Sequence, residues 1–295
     1  MPAKRLLIVS DEMEVGGSQR QIVHLLLGLD RKRWQPTLLY FRRRSFLVDE
    51  LDAAGIETLY LPKRGRIDIG FVWRLIRLLR AGRYDLIHAF SLTAELWIRA
   101  VLPFVPRCAF IASVRGLCLG YPDWQWRLKR WIVRRADAVI ANARAGAQMT
   151  AQHTGFAQAR IDIVANGIDI PDLASSAERA KARRDLKLAD ARVFGLFVGR
   201  FVVEKNLPLL IEAQATLAAN RRPLLLLAGS GPLQASLRDQ IERLGLRDDV
   251  RLLGERSDAR ELMRSADFLV LPSREEGLSN VLLEAMAAGC PVLAS

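Results

Sequence analysis

No apolar run in these 295 residues approaches the roughly 20 residues that a bilayer-crossing helix needs. The longest, such as Leu224–Ala228 and Phe268–Leu271, have the length of buried strands. Cysteine is scarce: Cys108, Cys118 and Cys290 are odd in number, far apart and without a Cys-x-x-Cys pair, which excludes a disulfide framework and a thiolate zinc site. Neither G-x-G-x-x-G nor G-x-x-x-x-G-K-[ST] occurs, which removes the dinucleotide fingerprint and the P-loop. Asp-x-Asp, a metal–diphosphate pattern, is also missing, and no metal is expected. The opening, MPAKRLLIVSDEMEVGG, runs from a strand-length apolar stretch straight into acids, unlike a signal peptide. A cytosolic protein is expected. There is no short-period repeat or low-complexity tract. Acidic residues are outnumbered: 44 Lys and Arg face 32 Asp and Glu, a net charge of +12 that favours phosphates, anionic lipid or other acidic partners. No nucleic-acid motif accompanies it, and no nucleic-acid partner is expected.

What is present is alternation. Short runs rich in Val, Ile and Leu alternate with longer amphipathic stretches, the pattern of parallel strands buried on both faces by crossover helices, so the expected class is α/β. Strands are predicted at Leu6–Ser10, Thr37–Tyr40, Thr58–Leu61, Leu86–Ala89, Phe110–Val114, Ala138–Ala141 and Ile161–Val164, and helices at Gln19–Leu29, Ile69–Leu79 and Trp126–Arg135. The segment ANGIDIPDLASS then interrupts the pattern with Asn-Gly, Pro and Ser, and a charged helix follows over Ala177–Leu186. This predicts a first domain over 1–170, a hinge and linker helix over 171–190, and a second domain over 191–295. In the second, strands are expected at Val193–Val198, Leu224–Ala228, Val250–Leu253 and Phe268–Leu271, and helices at Leu207–Ala219, Leu233–Leu244 and Asn280–Ala288. Pro291–Ser295 reads as the opening of one more strand with no helix after it, and the second domain is expected to be incomplete.

Three segments carry candidate chemistry. In FLVLPSREEGLSNVLLEAMAAGCPV a strand ends at Leu271, a polar loop holds Glu275, Glu276 and Gly277, and a helix begins near Ser279 or Asn280. Backbone N–H groups at such a strand-to-helix junction attract an anion. Asn280 and Glu284, four apart, share a helix face. Taken by itself, this pattern equally fits Ser279 as a plain cap with solvated glutamates. In FVGRFVVEKNLPLLIEA, Gly199 and Arg200 close a strand, and Lys205 and Asn206 precede a helix. Two cations beside a helix N-terminus suit a departing diphosphate: opposite unit charges 4 Å apart attract by about 4 kcal/mol at an effective dielectric near 20. Near the amino end, Gly16 and Gly17 lie between the first strand and a helix, where backbone can approach a phosphate.

These segments resemble family 4 retaining glycosyltransferases. Glu276 and Glu284, seven residues between them, match the family's E-x7-E signature, GRFVVEKN matches its G-R-x-x-x-x-K-N element, and Gly16-Gly17 matches its Gly-Gly loop. The resemblance implies two Rossmann-like domains facing a cleft, the GT-B architecture, with acceptor on the first and nucleotide sugar on the second. It implies that Arg200, Lys205 and Glu276 serve catalysis and that Gly16, Gly17, Gly199, Gly277, Leu278, Ser279, Asn280 and Glu284 hold the donor, a UDP- or GDP-type sugar. It further implies a glycan or lipid-linked acceptor and no cofactor. Gly229 and Gly231 in LLLAGSGPL resemble a recurrent turn of the family, and the base is expected near Gly254–Arg256. His88 and Arg115 are acceptor-side candidates; Arg115 stands where many members have histidine, and a guanidinium suits a phosphate or carboxylate better. The rival readings are a nicotinamide or flavin oxidoreductase, disfavoured by the missing fingerprint, and a non-catalytic nucleotide-sugar-binding relative.

One further stretch, PDWQWRLKRWIVRR, interleaves Trp124, Trp126 and Trp131 with Arg127, Lys129, Arg130, Arg134 and Arg135. Read as one face, it suits an anionic membrane surface, with Arg42–Arg44 and Lys63–Arg66 as extensions. A helix with one buried aromatic stripe and a solvated basic face reads much the same.

Overall fold

A computed structural model of the chain describes residues 2–14, 16–65, 68–188, 192–274 and 276–295. The chain divides into two compact units, Met1–Gly167 and Ile168–Ser295. In the first, strands and helices alternate as β1 (Lys4–Ser10), α1 (Gly17–Gly28), β2 (Trp34–Tyr40), α2 (Phe46–Ala53), β3 (Glu57–Tyr60), α3 (Ile69–Gly82) and β4 (Leu86–Ala89), then α4 (Leu92–Val101), β5 (Ala109–Val114), α5 (Asp123–Val133), β6 (Ala138–Ala141), α6 (Arg144–Thr154) and β7 (Ile161–Ile163). Among the described residues these strands form one parallel sheet in the order β3-β2-β1-β4-β5-β6-β7. Successive residues of β1 feed opposite cores: Leu7 and Val9 pack with Leu39 and Phe110 on one face, Leu6 and Ile8 with Leu38 and Tyr40 on the other. Burial on both faces is why the run KRLLIVS shows no polar alternation.

The second unit follows with α7 (Ser176–Asp185), β8 (Phe194–Val198), α8 (Leu207–Thr216), β9 (Leu224–Ala228), α9 (Gln234–Arg243), β10 (Val250–Gly254), α10 (Ala259–Ser265), β11 (Phe268–Leu271), α11 (Asn280–Ala287) and β12 (Val292–Ala294). Its sheet is parallel, in the order β10-β9-β8-β11-β12. In β9, Leu224, Leu226 and Ala228 enter one core while Leu225 and Leu227 enter the other. The charged helix expected as a linker is α7. It starts in a capping box between Ser175 and Glu178 and lies against the second unit, where Arg183 reaches Asp267 at 3.4 Å and Glu178 reaches Arg264 at 3.5 Å.

Each sheet reverses its winding once. In the first the neighbours at the reversal are β1 and β4, in the second β8 and β11. At such a switch point the connections leave in opposite directions and open a crevice beyond the strands' carboxyl ends, where open α/β sheets bind ligands.

Candidate functional site

In the second unit, the loops after β8 and β11 carry the residues the sequence singles out, and they flank the switch point. The loop after β8 is locked by backbone. Gly199 N donates to Ala228 O at 3.0 Å, Phe201 N to Ser230 O at 2.7 Å and Leu233 N to Phe201 O at 3.1 Å, while Gly229 N reaches Gly254 O at 2.7 Å. Glycine is compulsory for this approach. A Cβ on Gly229, at φ 145°, would sit 1.9 Å from Gly199 O, and one on Gly231, at φ 156°, would sit 2.5 Å from Phe201 O. The GSG turn of the sequence is thus the wall against which the Arg200 loop is pressed.

From that loop, Asn206 adopts a left-handed conformation (φ 52°) that turns the chain into α8, whose first turn holds Pro208. Lys205, just before it, forms an ion pair with Glu276 from the far side of the switch point; the side chains are 22% and 28% exposed. A second tie joins the two loops, Arg274 N donating to Glu204 O at 2.9 Å. Two residues whose expected roles are separate, one on diphosphate and one on sugar, therefore share one contact. Arg200 is exposed and makes no ion pair among the described residues.

Gly277 and Leu278 are half-buried in the same loop, and Ser279 and Asn280 are buried. Ser279 stands at the N-cap of α11 without a side-chain capping bond, so the plain cap role is not what its hydroxyl does here. Backbone N–H groups of the first turn of α11 consequently lack that partner and, with the helix dipole, favour an anion. Glu284 lies one turn further along α11. Glu275 lies outside the described residues. Next to this site, Ser230 Oγ bonds Glu255, and Arg256 grips Asp258 through Nε at 2.8 Å and Nη2 at 2.5 Å.

In the first unit, Gly16 is the extended N-cap of α1, with no side-chain cap, and Gly17 is its first residue. A residue without any sequence signal steadies this helix: Gln21 Nε2 donates to Gly167 O at 2.7 Å and its Oε1 accepts from Gly167 N at 3.0 Å. At the ends of β4 and β5 lies a cavity of about 240 Å³ whose lining includes Phe90, Arg115, Cys118, Tyr121 and Trp126. Arg115 faces it, with Cζ 4.7 Å from the Phe90 ring centre. His88 is not among the lining residues. It is buried behind them with Nε2 2.8 Å from Ser113 Oγ, and burial first, then the Arg115 charge, push its pKa down to about 3. A neutral imidazole is the consequence.

Lys129 and Ser113 also line the cavity: Lys129 Nζ lies 2.7 Å from both Glu95 oxygens and donates to Ser113 O at 2.6 Å, while Ser113 N donates to Glu95 Oε1 at 2.7 Å. Burial pushes the Glu95 carboxyl up against the pull of Lys129. This corrects the reading of α5 as one basic face, because Lys129 and Trp126 point inward and Trp126 stacks on His153 at 4.4 Å. Helical spacing leaves Trp124, Arg127, Arg130, Trp131, Arg134 and Arg135 outside. The proposed extensions are largely spent elsewhere: Arg43 pairs with Glu14, Arg44 with Asp49 and Asp52, and Lys63 lies over the Trp97 ring at 5.2 Å. Arg66 lies outside the described residues. No helix among these residues is long and apolar enough to cross a membrane.

Comparison with known proteins fits both units. Residues 15–171 match the family model described as Glycosyltransferase Family 4, and residues 178–295 match Glycosyl transferases group 1. The putative glycosyltransferase EpsF of Bacillus subtilis is 30% identical, over 99% of this chain and 79% of its own length. A D-inositol 3-phosphate glycosyltransferase of Geodermatophilus obscurus is 31% identical; there the match takes in 72% of this chain but only 52% of the relative. Among solved structures, Anabaena Alr3699/HepE in complex with UDP-glucose superposes with a TM-score of 0.87 at 22% identity, covering 98% of this chain and 80% of that one. WaaG, a glycosyltransferase involved in lipopolysaccharide biosynthesis, gives 0.72 at 19% identity, with coverages of 98% and 80%. At these identities the likeness is one of fold, the two-domain α/β architecture of GT-B glycosyltransferases.

Proposed function

This chain belongs to the family 4 glycosyltransferases, and from that premise we propose that it moves a sugar from a UDP- or GDP-type sugar to an acceptor hydroxyl with retention of anomeric configuration. The acceptor is a glycan or a lipid-linked glycan of surface polysaccharide or glycolipid assembly. The observation that carries this reading is the Lys205–Glu276 pair across the switch point, with Arg200 in the loop that carries Lys205 and the start of α11 shortly after Glu276. A diphosphate brings more negative charge to Lys205 than one carboxylate does. On binding it displaces Glu276, which turns to the donor's sugar hydroxyls. Arg200, Lys205 and the first N–H groups of α11 then face the oxygen on which charge grows as the sugar leaves, the kind of preorganised stabilisation that lowers a barrier. Substitution takes place on one face through an oxocarbenium-like state, and the departing phosphate oxygen takes up the acceptor's proton. Glu284 holds the ribose, and Gly199 with the 277–280 backbone holds sugar and phosphate.

Thermal denaturation with UDP, GDP and ADP tests the donor half. One of UDP or GDP at 100 times its dissociation constant stabilises by about 2.7 kcal/mol. The shift is expected to shrink in Arg200→Ala and Lys205→Ala. No shift with any of the three, or shifts that ignore both substitutions, would defeat the reading.

We also propose that the outer face of α5 meets an anionic membrane. Trp124 is 58% and Trp131 40% exposed, and Arg99 stacks on Trp131 at 4.6 Å. Flotation with phosphatidylglycerol vesicles, weakened by salt and by Trp124→Ala with Trp131→Ala, is the expected result. Equal binding to phosphatidylcholine, or none to either, overturns it.

A further inference from the structure

The cavity at the ends of β4 and β5 has a charge balance that the transfer reaction by itself does not call for. Lys129 is also in its wall, but its ammonium is paired with the buried Glu95 carboxylate. His88 behind it is neutral, and burial pushes the Cys118 thiol and the Tyr121 phenol up, so both keep their protons at neutral pH. Asp11 bears on Tyr121 electrostatically, but only burial shifts Arg115. Arg115 is therefore the uncompensated charge. Among the described residues its guanidinium meets no carboxylate and no hydrogen-bond acceptor, and its Nε is shielded from solvent. Burial draws its pKa down to about 10, which leaves it charged at neutral pH. A half-buried cation whose Nε is shut from water and has no partner is stabilised when something supplies the opposite charge.

The cavity offers more than a charge. Ser91 and Thr150 line it. Ser91 Oγ already accepts from Ala94 N at 3.2 Å, so its proton is left to donate. Phe90 and Trp126 add apolar wall. The fork of Arg115 is fixed by stacking on Phe90, which suits two parallel bonds to an oxyanion.

We infer that this cavity is the seat of an oxyanion, a carboxylate or a phosphate, carried by the sugar acceptor, and that Arg115 is its anchor. Only the word acceptor rests on the proposed transfer reaction; the anion site stands on the cavity itself. The acceptor class is thereby narrowed to acidic sugars, uronate-type or phosphorylated.

Calorimetric titration of the protein with glucose 6-phosphate, with glucuronate and with glucose tests this. At least one acidic sugar is expected to bind saturably while glucose does not at the same concentrations; which one binds tells phosphate from carboxylate. Arg115→Gln is expected to weaken that binding by roughly tenfold or more, the scale of a lost charge-assisted bidentate contact. Its stabilisation by UDP or GDP is expected to be unchanged. Arg200→Ala should do the reverse, which places the acidic sugar away from the diphosphate site. Arg115→Lys, which keeps the charge and loses the fork, gives an intermediate affinity and replaces the Gln variant if that one does not fold. The inference is overturned if all three sugars bind alike, if none binds, or if Arg115 variants bind the acidic sugar as wild type does. Absence of nucleotide stabilisation in the wild type would instead defeat the donor reading and leave the sugar titrations to judge Arg115.

Discussion

Each unit places a lysine–glutamate pair at the carboxyl ends of its parallel strands, and the two pairs are built differently. In the first unit Glu95 is fully buried and Lys129 7% exposed, and both Glu95 oxygens and the ammonium are engaged, partly with the two backbone groups of Ser113. In the second, Lys205 and Glu276 are 22% and 28% exposed and meet each other without such a frame. The first pair is closed: no incoming group can improve on its contacts, and it holds the end of β5 from which Arg115 projects. The second is open, since water or a ligand oxygen can take either place at little cost. A structural ion pair and an exchangeable one differ less in the residues used than in how many other bonds each partner keeps when the other departs.

The largest effect expected from this contrast is on stability. Glu95→Ala strands Lys129 in the interior and is expected to lose about 3–5 kcal/mol in urea unfolding, as for other broken buried pairs. Glu276→Ala is expected to change stability by less than about 1 kcal/mol. Similar losses for the two variants would erase the distinction between closed and open pairs. Activity should follow the opposite order. Arg200→Ala and Lys205→Ala are each expected to lower kcat by about 10²–10³-fold, on the scale of about 2.7–4 kcal/mol for a lost oxyanion-stabilising donor, with little change in acceptor KM. Turnover within twofold of wild type would remove both cations from the chemistry.

A pH scan sharpens the comparison further. His88 takes up a proton in the unfolded chain near pH 6.5 but resists it in the fold down to about 3, so the unfolded state binds more protons between those values. Stability is therefore full above pH 6.5 and falls as pH drops through the window. At pH 5 the loss attributable to this ring is on the order of 2 kcal/mol relative to neutral pH. His88→Gln, which keeps a group for Ser113 Oγ, should flatten that part of the curve; an unchanged curve would mean that the ring titrates normally in the fold. The smallest effect is expected at Glu284. Its replacement by Ala should raise the donor KM by roughly tenfold with kcat nearly unchanged, as for a lost uniform binding contact.

Much of the scaffold was legible. Leu224–Ala228 and Phe268–Leu271 are strands with the expected ends, because runs of four or five apolar residues bounded by polar or glycine signals leave little choice. The α4 helix drew no specific expectation: LTAELWIRAV is apolar nearly all round, and its one acid, Glu95, is buried. The helix expected to run to Ala219 ends at Thr216, where Leu217 turns extended. The site was legible as two motifs but not as a contact. Lys205 and Glu276 are 71 residues apart, and only the order β8-β11 in the sheet makes them neighbours. Lys129 was misjudged because charge normally marks a solvated face; its i, i+3 spacing from Trp126 was the available sign that both point inward, and the partner on α4 was not.

The backbone clasp between the loops after β8 and β9 bears on hydrogen exchange. Amides in loops ordinarily exchange fast with solvent, yet those of Gly199, Phe201, Gly229 and Leu233 are each bonded to a carbonyl of a neighbouring loop or strand end. They should therefore exchange with the sheet rather than with the surface, and open only when β8 and β9 separate. In deuterium labelling, the stretch that carries Arg200 would then behave as part of the slowest-exchanging body of the second unit, although none of it lies in a strand.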